Sequence, residues 1–289
     1  MPYLPTEPPP DVRAIRERID HPIIDSDGHL VEFLPLVRDF LLEETDPGLV
    51  EAFDRMAHSS LPRVSVPSPA DRRQRGIHAA GIWGLPARNT LDRATVMLPD
   101  LLYRRLDELG IDFAVLYPTY GLTVTALPNT ELRCAFARAL NRYYAEVYAD
   151  YRDRLEPVAA IPTFTPDEAI AELDHAVGEL GLKTVMFGGT IPRPYDDAPS
   201  SPGRWIDTLG HDSAYDYDPL WRRCEELGVA PTFHSGGQGW GTRMSTVNTL
   251  FRVRGGRSDE RARLCLPPQP GRHDVTGGVR IGCRPLGCP

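Results

Sequence analysis

Three times in this chain a helix-patterned stretch ends in Leu-Gly and gives way to a short apolar run. Leu109-Gly110 precedes the run at 112–118, Leu180-Gly181 the run at 184–187, and Leu227-Gly228 the run at 229–233. Glycine is the residue best able to take the left-handed conformation that ends a helix, so each pair reads as a helix stop followed by a strand. The runs at Pro22-Ile23-Ile24-Asp25 and at 157–162 bring the count to five strands alternating with helices. Such alternation predicts repeated βα units around a parallel sheet. The strands end at Asp25, Pro118, Pro162, Gly188 and His234 and pass into polar or Gly/Pro-rich loops. Those carboxyl ends are where α/β sheets and barrels carry their chemistry.

The rest of the chain is organised around that rhythm. Residues 1–20, with five prolines in the first ten positions, read as an extended lead-in. Between about 30 and 110 helical signals at 33–42 and 94–109 flank a polar stretch, which reads as an insertion. A helix is expected over 131–154. Thr165-Pro166-Asp167-Glu168 opens another, with threonine as N-cap, proline at the first position and glutamate completing a capping box. The composition, 41% hydrophobic and 25% charged, is that of a globular chain. No apolar run reaches the roughly 18 residues of a membrane helix, and the N-terminus has no apolar signal core. A cytoplasmic location is therefore expected. A net charge of −8 argues against general binding to nucleic acid. The five cysteines, at 134, 224, 265, 283 and 288, are odd in number and lack paired spacing, which argues against a disulfide framework.

Two features carry chemistry. In Asp27-Gly28-His29, residues two apart in a strand point the same way, so a carboxylate and an imidazole can reach one metal ion about 2 Å from each. Asp25 would share that side if the strand ran on regularly. Asp25 and Asp27 could instead cap the following helix, leaving His29 at the surface. His234 closes the fifth apolar run ahead of Ser235-Gly236-Gly237-Gln238-Gly239-Trp240-Gly241. An imidazole there suits a catalytic metal, and equally a hydrogen-bonded histidine at the edge of the core. The glycines do not satisfy G-x-G-x-x-G, since position 242 is threonine, and no P-loop Lys-Ser/Thr follows. A nucleotide site is excluded on that ground.

Asp-x-His after the first strand and a lone histidine after the fifth follow the ligand order of a metal-dependent amidohydrolase barrel. The stretches IDSDGHLVE at 24–32, LDELGIDFAVLYPTYGL at 106–122, residues 140–161 and FHSGG at 233–237 resemble the amidohydrolase-related family that includes aminocarboxymuconate-semialdehyde decarboxylase. The resemblance spans roughly 20–250. It implies a metal-dependent TIM-type (β/α)8 barrel, with Asp27, His29 and His234 as ligands of a divalent metal, zinc by expectation. Asp27 stands where many members have a first histidine. It further implies a catalytic histidine after the sixth strand, a fourth ligand, an aspartate, after the eighth, and a small-molecule substrate. Homodimers are common in the family. Trp83 and Arg88, in the insertion, are candidate substrate contacts by position alone. Bound metal would acidify water and polarise a substrate carbonyl or carboxylate, which serves hydrolysis and non-oxidative decarboxylation alike.

After about Arg252 the rhythm stops. Residues 255–289 hold seven glycines, five prolines, three cysteines and six arginines against three acidic residues, a balance of +3 against −11 for the preceding residues. A single lysine, Lys183, stands among 32 basic residues, as a GC-rich coding sequence would give. Arginine-rich aperiodic sequence is what out-of-frame reading of such DNA produces. The expectation is therefore a partial barrel over 21–252, about five of eight strands and without the sixth-strand histidine and eighth-strand aspartate, followed by an out-of-frame or disordered segment at 253–289. Two other readings stand beside the enzyme. One is an inactive barrel fragment. The other is a haloacid-dehalogenase-type phosphatase, because Asp25-Ser26-Asp27 follows a first strand as that nucleophile motif does; Lys183 and Asp196-Asp197 match the rest of its pattern poorly.

Overall fold

The computed structural model describes residues 8–59, 90–193, 205–207 and 213–234, with positions 70, 74 and 209 and the pair 279–280. Helix α1 (Pro10–Arg16) precedes strand β1 (Ile24–His29), and α2 (Leu34–Glu44), α3 (Pro47–Ser59), α4 (Thr90–Thr95) and α5 (Pro99–Leu109) follow it. Strand β2 (Phe113–Tyr117) leads through a 3-10 turn at Gly121–Ala126 into the long helix α6 (Thr130–Val147). Strands β3 (Leu155–Pro157) and β4 (Ala159–Ala160) come next, then α7 (Pro166–Leu173) with a π-helical turn at Asp174–Glu179. Strand β5 (Val185–Gly188), the hairpin β6 (Ile191–Arg193) and β7 (Trp205–Asp207), α8 (Asp218–Leu227) and β8 (Pro231–His234) follow, and β9 (Val279–Arg280) lies beyond. Among the described residues no helix is long and apolar enough to cross a membrane.

The five expected strands are present, and their neighbours in space are their neighbours in sequence. One parallel sheet runs β1-β2-β3; a second runs β4-β5-β8, with β9 antiparallel on its edge. Only Val158 separates β3 from β4. Its amide donates to Leu116 in the first sheet, while the next amide, Ala159, donates to Thr184 beside the second. The third strand is thus shared, and the five-strand order is sequential, as in a barrel and unlike a doubly wound sheet. The sequence reading found no sixth to eighth barrel strand, and beyond residue 234 only β9 is described.

The three Leu-Gly stops are visible directly. Gly110, Gly181 and Gly228 have φ of 71°, 67° and 67°, the left-handed conformation that an L side chain resists. Thr165 caps α7 as expected, its hydroxyl accepting from the Glu168 amide. Glu168 does not complete the capping box, because its carboxylate is taken by Arg133 of α6. Two expectations are corrected. The lead-in is not wholly extended: Pro10 at the first helical position and Asp11 in the first turn start α1. The insertion also holds a helix at Pro47–Ser59 that its polar face concealed.

Helices cover the outer face of the sheet. On β2, Ala114 and Leu116 are buried beneath them, whereas Phe113 and Val115, on the inner face, are only partly covered. Ile24, paired with Phe113 on that inner face, is 57% exposed. Helix α6 supplies Phe136, Leu140, Tyr143 and Tyr144 to the core. Its Asn141 exchanges two hydrogen bonds with the Ala160 backbone, where the sheets part, and donates to Glu172 of α7.

Burial pushes the Glu172 carboxyl up to about 7 from 4.5, against hydrogen bonds from Asn141 and Arg138 that pull it down. The folded state then holds this proton more tightly than the unfolded chain. Stability from this group is full below about pH 4.5 and is lost as pH rises toward 7, amounting to roughly 3 kcal/mol. Glu172→Gln is expected to gain stability relative to wild type by about that amount between pH 4.5 and pH 8. Urea denaturation at the two pH values reads it, and an unchanged difference would count against the assignment.

Candidate metal centre

The register of β1 against β2 places the site. Ile24 and Asp25 pair with Phe113 and Ala114, but Gly28 and His29 pair with Leu116 and Tyr117. Between the two pairs β1 uses one residue more than β2, which is a β-bulge at 26–27. The bulge reverses the alternation. Asp27 and His29 share the inner face with Tyr117, while Asp25 lies with Ala114 and Gly28 on the helix-facing side. Asp25 therefore does not join the cluster, contrary to the regular-strand expectation. Its carboxylate accepts the Asp27 amide instead, at 3.2 Å. A Cβ on Gly28 would sit 3.0 Å from Asp25 Oδ2 and 3.1 Å from the Val115 carbonyl, so the bulge needs glycine there.

His234, the last residue of β8, comes from the far side of the curved sheet to meet His29. The two Nε2 atoms lie 3.2 Å apart, with the rings edge to face at 5.0 Å between centroids. One ligand atom each from Asp27, His29 and His234 lies within 4.8 Å of the others. Donors about 2 Å from a shared ion sit ~3 Å apart, so the separation of the imidazoles is that of two ligands on one cation. Asp27 Oδ1 and His234 Nδ1 are buried without a hydrogen-bond partner among the described residues. Such buried polar atoms are costly unless something satisfies them. The donor set, two imidazoles and a carboxylate, fits a divalent transition metal.

The electrostatics of the two imidazoles favour ligation. Burial lowers both imidazoles: His29 falls against the opposing pull of Asp27, and His234 falls to about 4, helped by the neighbouring His29. Both rings are neutral near pH 7, the form that binds metal. Burial raises Asp27, and Asp25 adds to the rise while His29 opposes it. Tyr117 walls the cluster, its ring centroid 6.1 Å from His29 and 5.4 Å from His234. Sequence reading passed over this tyrosine because it looks like one more apolar residue in a strand.

Trp83 and Arg88 lie outside the described residues, and the sixth-strand histidine and eighth-strand aspartate that the resemblance implies had no position assigned in this sequence. Asp25, the nucleophile of the phosphatase reading, faces away from Asp27, and the family found below sets that reading aside.

Among curated proteins the chain is 31% identical over 137 residues to a gamma-resorcylate decarboxylase of Rhodococcus jostii (strain RHA1), covering 47% of this chain and 39% of that protein. Among solved structures it is similar to an amidohydrolase of Mycobacterium avium subsp. paratuberculosis K-10 (22% identity, TM-score 0.49, 77% of this chain and 61% of the other). It is also similar to a manganese-bound dihydroxybenzoic acid decarboxylase of Polaromonas sp. JS666 carrying 2-nitroresorcinol (22% identity, TM-score 0.43, 73% and 48%). The chain thus spans less than two thirds of the length of each of these relatives. Residues 24–264 match the Amidohydrolase family, a match that opens on the first residue of β1 and crosses all five parallel strands. The chain belongs to the amidohydrolase family.

Proposed function

We propose that the chain forms the metal-binding part of a metal-dependent decarboxylase acting without an oxidant on a small hydroxylated aromatic acid. The observation that carries this reading is the convergence of Asp27, His29 and His234 from opposite ends of the five-strand sheet. The gamma-resorcylate decarboxylase relative supports the choice of decarboxylation over hydrolysis. Asp27, His29 and His234 would hold a divalent ion, zinc on the strength of the two imidazoles. When bound, that ion supplies positive charge to orient and polarise an anionic substrate. The chain's own residues do the rest of what the geometry supports. Among the described donors, Asp27 contributes the single negative charge. The two histidines stay neutral, and Tyr117 restricts the motion of both rings and excludes water from one side.

The test is direct. Purified protein is analysed for bound zinc and manganese, then incubated with 2,6-dihydroxybenzoate and related hydroxybenzoates, with ester and amide substrates in parallel. Release of carbon dioxide that is abolished by chelation and falls at least about 100-fold in His29→Ala is the expected outcome. Hydrolysis of the esters or amides without decarboxylation would move the reading to a hydrolase. Turnover indifferent to chelation would end it.

A further inference from the structure

Glu32 is a carboxylate in the wrong place for a surface residue. It lies three residues beyond His29 on the segment leaving β1, and it is 1% exposed. Four donors surround it. Oε2 accepts the backbone amides of Thr119 and Tyr120 at 3.3 and 2.8 Å, and Oε1 accepts the Gly121 amide at 2.8 Å and the Tyr144 hydroxyl at 2.7 Å. These amides belong to the loop that leaves β2 directly after Tyr117. Two more bonds stitch the same strand ends together: the Leu30 amide donates to the Tyr117 carbonyl, and the Thr119 hydroxyl donates to the Leu30 carbonyl. The carboxylate thus clamps the exit of β2 onto the exit of β1, and on these two exits stand His29 and the Tyr117 ring.

We infer that Glu32 is a positioning residue for the Asp27–His29–His234 centre, fixing the His29 imidazole and its Tyr117 wall through the 119–121 loop. The inference rests on the metal reading above. An acidic side chain is required because all four neighbours are donors. Glutamine offers one acceptor and one donor, so in either orientation its amide nitrogen would face at least one backbone N–H that cannot turn away. The loop would then shift, carrying Tyr117 with it.

Cobalt(II) alone is the probe, because its visible spectrum reports the arrangement of its ligands. Wild type, Glu32→Gln, Tyr144→Phe and a remote core variant, Val50→Ala on α3, are titrated with cobalt and melted in parallel. Glu32→Gln is expected to raise the cobalt dissociation constant at least tenfold and to change the visible bands. Tyr144→Phe, which removes one donor of four, is expected to give a smaller change of the same kind and decides the matter if Glu32→Gln does not fold. Val50→Ala is expected to lower the melting temperature and leave the spectrum of bound cobalt as in wild type. A wild-type chain that binds no cobalt overturns the metal reading and this inference with it. A wild-type spectrum and affinity retained in the folded Glu32 or Tyr144 variant, or lost equally in Val50→Ala, overturns this inference alone.

Discussion

Replacing His234 with alanine is expected to lower affinity for a divalent ion at least about 100-fold while leaving the fold in place. Structural zinc sites gain roughly 10–16 kcal/mol from about four ligands, so each donor is worth about 2.5–4 kcal/mol, or roughly two to three decades in affinity. His234 is one of only three donors among the described residues. It is also poorly tied to anything else: its Nδ1 has no partner there, and its Nε2 faces that of His29. Truncating it relieves the crowding of two imidazoles rather than opening the core, so the melting temperature of the metal-free protein should hardly move. Competition with a chromophoric chelator measures the affinity. Equal affinity in wild type and variant would mean that the ion, if bound, is held elsewhere.

The largest expected loss of stability comes from Arg133. Its side chain is 2% exposed and its partner Glu168 6%. The guanidinium donates to both Glu168 oxygens, the Leu127 carbonyl and the Thr130 hydroxyl, and it lies 3.7 Å over the Phe164 ring. It thereby joins the start of α6, the start of α7 and the end of the third strand. Arg133→Met keeps the bulk but leaves the Glu168 carboxylate buried without a cation. Breaking one side of such a pair costs about 3–5 kcal/mol, a large share of the 5–15 kcal/mol that holds an ordinary domain together. The double variant Arg133→Met with Glu168→Met removes the stranded charge and is expected to recover most of the loss. Urea midpoints of the three proteins test this. A double variant no better than the single one would show that the hydrogen bonds to Leu127 and Thr130, and not the charge pair, carry the stability.

What could be read from the sequence was what depends on near neighbours. The Leu-Gly stops were legible because the left-handed glycine is a local requirement, and Thr165 because a cap acts within one turn. Asp27, His29 and His234 were legible as polar residues closing apolar strands. Asp25 was misjudged because a bulge is a property of two strands, and β2 is about ninety residues away from β1 in the chain. Glu32 stands between Leu30-Val31 and Phe33-Leu34, an apolar setting that hints at burial, but its partners in the 119–121 loop lie far along the chain and had no local signal. The β6–β7 hairpin was missed for a related reason. Its strands are three residues each, and its stability comes from Arg193 meeting Asp207 and the Tyr217 hydroxyl, partners 14 and 24 residues away.

The bulge in β1 also sets the sign of the centre. A regular strand would have turned Asp25 inward beside Asp27, and two carboxylates with two neutral imidazoles would cancel a divalent cation completely. With Asp25 turned to the helices, the donors among the described residues carry one negative charge, and a divalent ion seated on these three alone would keep a net charge of +1 in partly desolvated surroundings. In low-dielectric surroundings a single uncancelled charge selects strongly between ligands. On the decarboxylase reading proposed above, one inserted residue would give the centre a preference for a charged acid over its decarboxylated partner.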